Sequence, residues 1–158
     1  MAERLAVAYA ETCGYGALTA SSAGTRAAIG RPIHDEAASV LKDFGADPGG
    51  FVARQLTPKM IMAADLILTM TNDHRDSVLM ATPQKFKSTF TLCEASRLVT
   101  LLGARTVADL PILRSQLDAT EKVDVTDPIG KPATVFEAVG QYIADLLLPI
   151  VDMCRSSA

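Results

Sequence analysis

Residues 64–70, ADLILTM, are an almost unbroken apolar run. A strand of that kind has no polar face to give to water, so it predicts a place inside a parallel sheet with helices on both sides. The flanking segments fit. A helix is predicted from Met1 to about Cys13, stopped by Gly14 and Gly16. ALTASSAG (17–24) reads as a short strand of small residues. HDEAASVLKDFG (34–45) reads as a helix with Ala37, Val40, Leu41 and Phe44 on one face and Gly45 at its close. ADPGG (46–50) is a turn, FVARQL (51–56) is extended, and Thr57-Pro58 starts a helix, with Thr as cap and Pro at the first position.

Downstream, DHRDSVLMAT (73–82) is a helix and STFTLCE (88–94) a strand. ASRLVTLL (95–102) and LPILRSQL (110–117) are two helical pieces of an insert at about 95–120. TVFEAVGQYIADLLL (134–148) is the final helix, with Thr134 and Glu137 spaced as a capping box. Strands alternating with helices predict an α/β three-layer sandwich built on a small parallel sheet, a single domain over residues 1–158. Yet only three strands are legible, near residues 19, 67 and 90, and a sheet so small has few ways to cover both faces. The pattern calls for a further, central strand.

The net charge of −3, the absence of Trp and the presence of three Tyr and five Phe offer no footprint for nucleic acid or an anionic membrane surface. Cys13, Cys93 and Cys154 are an odd, widely spaced set, which argues against a disulfide framework and for a reducing cytoplasm. Glu3 and Arg4 interrupt any signal-peptide core. The greasiest stretch, IADLLLPIV (143–151), is too short to span a bilayer and contains Asp145.

Most familiar chemical motifs are absent. His34 and His74 lack partners at ligand spacing, so no metal is predicted, and HDE (34–36) reads as the solvated first turn of a helix. GYG (14–16) lacks the third glycine of a dinucleotide loop, GK (130–131) lacks the upstream glycine of a nucleotide loop, and no Gly-x-Ser-x-Gly elbow exists. No cofactor is expected. Cys13 and Cys93, the latter placed in a strand, read as small core residues. VDVTDPIG (123–130) puts Asp127-Pro128 in an exposed turn before the last helix.

Four blocks occur in order at compatible spacing: SSAGT (21–25), ARQLTP (53–58), ADLILTMTNDHR (64–75) and DPIG (127–130). Together they resemble the low-molecular-weight protein tyrosine phosphatase family, and MAERL (1–5) looks like the helix that follows its phosphate loop. TFTLCEASRL (89–98) and the stretch from there to Asp127 look like the actinobacterial branch. The resemblance implies a four-stranded parallel sheet and hydrolysis of a phosphomonoester through a cysteinyl-phosphate, with Asp127 as general acid. It also implies a Cys-x5-Arg-Ser loop directly before the first helix. This sequence has no such loop at its N-terminus, so its nucleophile and arginine are not in place, and the chain as given is expected to be inactive. CRSS (154–157) does not substitute, because a nucleophile six residues before Arg155 would be Pro149.

Where phosphotyrosine-specific members carry aromatic walls, this chain has Ala27, Ala28 and Ile129. That favours a small phosphoester or an oxyanion over a phenyl ring, although the cysteine pair of an arsenate-reductase relay is not visible. A phosphorylated protein remains the family's other substrate class. Three readings are open: an enzyme whose nucleophile loop lies upstream of Met1, a non-catalytic binding or regulatory relative, and an enzyme of altered chemistry. Exposed strand edges predict a homodimer by strand exchange.

Overall fold

The computed structural model describes residues 1–118 and 123–155. In chain order the elements are α1 (Ala2–Thr12), α2 (Asp35–Asp43), α3 (Pro58–Ala63), β1 (Ile67–Thr69), α4 (Asn72–Ala81), β2 (Thr89–Thr91), α5 (Leu92–Thr100), α6 (Asp109–Leu113) and α7 (Ala133–Arg155). Short 3-10 helices run over Pro83–Ser88 and Arg114–Gln116.

Local chemistry explains where most helices start. Thr57 Oγ1 accepts the Met60 N–H, with Pro58 at the first position, as its sequence requires. His34 caps α2, its Nδ1 accepting the Glu36 N–H, while its ring stacks on Phe136 at 4.9 Å. Thr71 caps α4 by accepting the His74 N–H. Gly45, at φ +72°, supplies the left-handed turn that ends α2.

β1 and β2 pair in parallel, Ile67 opposite Thr89 and Thr69 opposite Thr91. Helices cover this small sheet in three layers. α1, α2 and α5 all pack on α7, which shares the main core with Leu5, Leu41, Phe90 and Leu98. α4 packs on both strands, and its buried Val78 stands apart from that core. Gly140 lets α2 and α7 approach closely, since a Cβ there would collide with Val40.

The structure corrects several expectations. Residues 17–24 form no strand; residue 17 belongs to a turn, and a lone parallel bridge, Gly24 to Gln55, is the ladder the segment makes. β2 ends at Thr91, because Thr91 and Glu94 form a capping box that starts α5, so Cys93 lies in a helix and not in a strand. Thr134 falls inside α7, which begins at Ala133, and the Val135 N–H reaches the Pro132 carbonyl.

α7 also runs on past Leu148 to Arg155, straight through Pro149. A proline there costs one backbone hydrogen bond, offset by the burial of Ile150, Val151 and Met153 beyond it. At 23 residues this helix is long and apolar enough to cross a membrane, unlike the shorter run read from sequence. Its Phe136, Val139, Ile143, Leu147 and Ile150 are instead buried in the protein core. Ser156 and Ser157 of the CRSS segment, with Ala158, lie outside the described residues.

Candidate functional site

The carboxyl end of β1 organises the site. Thr69 Oγ1 donates to the Thr71 carbonyl at 3.0 Å and holds the turn into α4. The backbone N–H and side-chain amide of Asn72 both donate to Asp124 Oδ1, at 2.9 and 2.7 Å. The Val125 N–H donates to the Met70 carbonyl at 2.9 Å. These three bonds tie residues 124–125 to the end of the strand and so place Asp127 two residues farther along that rim. Asp127 is exposed, its Oδ1 accepting the Ile129 N–H at 3.0 Å. The turn after it closes by a Lys131 N–H to Pro128 carbonyl bond, with Gly130 at φ +76°.

The SSAGT and ARQLTP blocks, about thirty residues apart in the chain, are knitted together. The Gly24 N–H donates to the Arg54 carbonyl at 3.0 Å and the Leu56 N–H to the Gly24 carbonyl at 2.9 Å. Arg54 Nε donates to the Ser22 carbonyl, and Gln55 both donates to the Thr25 carbonyl and accepts the Ala27 N–H. Gly24 is required by this crowding: a Cβ would stand 3.1 Å from Ala27. Ser22 Oγ in turn donates to Glu3 at 2.5 Å, which fixes the start of α1 beside the same loop.

These blocks border one open cleft of about 2120 Å³. Ser21, Ser22, Thr25, Thr71 and Asp127 line it with polar groups, while Leu66, Leu68, Ile143 and Leu147 supply apolar walls. Met1 also lines it, and burial lowers the pKa of its α-amino group.

Two of the cysteines, Cys13 and Cys154, line the same cleft as Asp127. Cys13 is exposed past the far end of α1, about 18 Å along the helix from Met1. Cys93 is buried in α5 with Tyr142 Oη 3.5 Å from its sulfur, a contact that pushes the Tyr142 pKa up to about 12. Cys154 lies near the far end of α7, and burial pushes its thiol pKa up, away from the thiolate that a nucleophile needs. Arg155 sits over the Tyr15 ring at 5.6 Å. Ala28 and Ile129 are exposed, and Ala27 is half-buried beside Gly24. Among the described residues, no three His, Cys, Asp or Glu side chains gather as a metal site. Asn72 and Asp124, which hold the Asp127 turn, lie in the ADLILTMTNDHR and VDVTDPIG segments, but their 52-residue separation hides that they pair.

Paired parallel strands, helices in layers around them and a polar rim at the carboxyl end of β1 define an α/β protein with its cleft where such sheets take ligands. The model of the family described as low molecular weight phosphotyrosine protein phosphatase matches residues 1–152, and the chain belongs to that family. A probable low molecular weight protein-tyrosine-phosphatase, EpsP, of Ralstonia nicotianae is 29% identical over 122 residues, covering 77% of this chain and 67% of the relative. The crystal structure of the low molecular weight protein tyrosine phosphatase from T. tengcongensis is similar with TM-score 0.75 and 27% identity, over 96% of this chain and 87% of that one. The YwlE arginine phosphatase from Geobacillus stearothermophilus is similar with TM-score 0.70 and 25% identity, over 95% and 82%.

Proposed function

We propose that this chain is the scaffold of a phosphomonoester hydrolase in which Asp127 is the general acid. The observation that carries the reading is the placement of Asp127 on the cleft rim by the Asn72–Asp124 and Val125–Met70 bonds, with the start of α1 and the SSAGT loop bordering the same cleft. In that chemistry a cysteine thiolate attacks phosphorus while Asp127 gives its proton to the leaving oxygen. The resulting carboxylate then takes a proton from the water that frees the cysteine. The nucleophile and the arginine that grips the phosphoryl oxygens belong to a Cys-x5-Arg-Ser loop, which residues 1–158 do not contain. By themselves these residues are inactive.

The relatives' names attach to tyrosine and arginine phosphates. For this chain we propose a phosphorylated protein or a small phosphoester or oxyanion, the thin walls at Ala27, Ala28 and Ile129 supporting the smaller ligand. Three free thiols support a cytoplasmic setting, and the insert near 95–120 supports the actinobacterial kind.

The test compares the 158-residue chain with one extended before Met1 by a strand and a Cys-x5-Arg-Ser loop, both assayed on an aryl phosphate. No turnover is expected from the first. Turnover is expected from the second, cut by about 10²–10⁴-fold in its Asp127→Asn variant. Turnover by the 158-residue chain that survives mutation of all three cysteines and is lost with Asp127→Asn would overturn the mechanism.

A further inference from the structure

A second cavity, of about 180 Å³, shares no lining residue with the large cleft. It opens where two helices begin. Asn72 and Arg75 come from the first turn of α4, and Thr91, Cys93 and Glu94 from the start of α5. Arg97 of α5, Arg114 and Asp118 complete the charged part of its wall. Among the described lining residues, three guanidinium groups therefore face two carboxylates.

Arg114 and Arg75 are engaged very differently. Arg114 donates to both oxygens of Glu94 and to the Phe86 and Thr89 carbonyls, so it neutralises Glu94 and has few donors to spare. Arg75 meets exposed Asp76 at 3.3 and 3.4 Å, and its Nη1 lies 3.9 Å from Glu94 Oε2, beyond hydrogen-bond reach. Its side chain is only 23% exposed. A guanidinium largely withdrawn from water thus keeps an Nη1 unfilled among the described residues. Such donors cost free energy until an acceptor meets them, and a charged oxyanion is the strongest acceptor a guanidinium can have.

Size narrows the ligand. At about 30 Å³ per water the cavity holds about six waters, room for one tetrahedral oxyanion with part of its hydration. It is too small for a nucleotide-sized ligand, which needs about 300 Å³ or more. The cavity also touches the segment that carries Asp127. Asn72 and Arg75 stand three apart on one face of α4, and Asn72 holds Asp124 through its N–H and its amide. Val123 lines the cavity two residues before Val125, whose N–H is tied to Met70. Peeling this segment from α4 would remove a wall, so an ion bound inside opposes that opening by mass action.

We infer that this cavity binds one free tetrahedral oxyanion, phosphate or sulfate, held chiefly by Arg75 with Arg97 adding charge, and that its occupancy steadies the segment leading to Asp127. The site stands without the phosphatase reading; only the value of steadying a general acid rests on it.

The probe is inorganic phosphate, titrated into the 158-residue chain against chloride at fixed ionic strength, with binding read by calorimetry and single-amide exchange by NMR. A Kd on the order of 1 mM is expected, with slower exchange at Asn72 and Val125. Arg75→Gln is expected to weaken binding about tenfold, and Arg75→Lys to recover part of that. Arg97→Gln, a second variant in the same wall, is also expected to weaken it. Arg31→Gln, which removes an exposed arginine outside the cavity, is expected to leave it unchanged. Absence of saturable binding would overturn the inference. So would binding indifferent to both Arg75→Gln and Arg97→Gln, which would place the ion elsewhere, or an equal loss with Arg31→Gln, which would reduce the effect to net charge. Tighter binding of O-phosphoserine would overturn the free ion as ligand and make a phosphorylated side chain the occupant. Binding that left exchange at Asn72 and Val125 unchanged would overturn the link to the Asp127 segment. No turnover is measured, so the result concerns this cavity alone and leaves the phosphatase reading to its own test.

Discussion

β1 and β2 are three-residue strands side by side, and their burial runs against their composition. β2 is Thr-Phe-Thr, yet all three residues are buried, Thr89 and Phe90 completely. β1 is Ile-Leu-Thr, and its Ile67 and Leu68 are only partly buried while Thr69 is buried. The difference is in the neighbours. β2 is closed off by Arg114, whose guanidinium lies 4.0 Å from the Phe90 ring centre and 5.0 Å from that of Phe86. Arg114 also donates to the Thr89 carbonyl at 2.5 Å and to Glu94 Oε1 at 2.7 Å, so one side chain satisfies backbone and carboxylate at once. β1 has the cleft on its other side, and apolar side chains bordering an open cleft keep part of their surface in water. Hydrophobicity sets what a strand needs; the packed neighbours set what it receives.

Deep truncation should separate the two strands most. Phe90→Ala is expected to cost about 3–5 kcal/mol, and Leu68→Ala about 1 kcal/mol because Leu68 has less contact to lose. Equal losses in denaturant titrations would break the contrast. Arg114→Ala should cost about 2 kcal/mol through its lost charged hydrogen bonds and ring contacts. Arg114→Lys should recover only part of that, since an ammonium cannot both lie over two rings and fork onto Glu94; thermal unfolding of both variants measures it. Gly140→Ala, in the closely packed region where α2 meets α7, should lose about 1–3 kcal/mol by forcing Val40 aside.

Thiol labelling with mass spectrometry sharpens the contrast between open and closed regions at smaller scale. Exposed Cys13 should react first and buried Cys93 last. Cys154 should lag behind a free thiol, because burial raises its pKa and leaves less thiolate at any given pH. Its rate should therefore keep climbing at pH values where a free thiol has levelled off. Asp127→Asn, on an exposed turn at the rim of the cleft, should change stability by less than about 0.5 kcal/mol. A larger loss would make Asp127 a structural residue.

Much of the fold was legible in local chemistry. Thr57-Pro58 and the Gly45 stop depend on residues within a few positions of each other, and the structure keeps them. The Cys93 placement failed at the same range, because the Thr91–Glu94 capping box outweighs the β-like pattern of STFTLCE. Thr134 failed because α7 starts one residue before it. Of the candidate site, the DPIG turn and the SSAGT block could be read directly. The Asn72–Asp124 clamp could not, since nothing local marks two residues that meet only after the sheet has formed.

By itself, then, the sequence determined the Thr57-Pro58 start and the Gly45 stop, that ADLILTM had to enter a parallel sheet, and that Asp127 would stand in an exposed turn. Those outcomes rest on hydrogen bonds and steric limits among near neighbours. Only the tertiary structure decided that Thr89 would be drier than Leu68, that Pro149 would sit inside a continuous helix, and that residues 17–24 would make a single bridge and no strand. Burial and strand pairing depend on which distant segments arrive alongside, and that is settled by packing rather than by any stretch of chain alone.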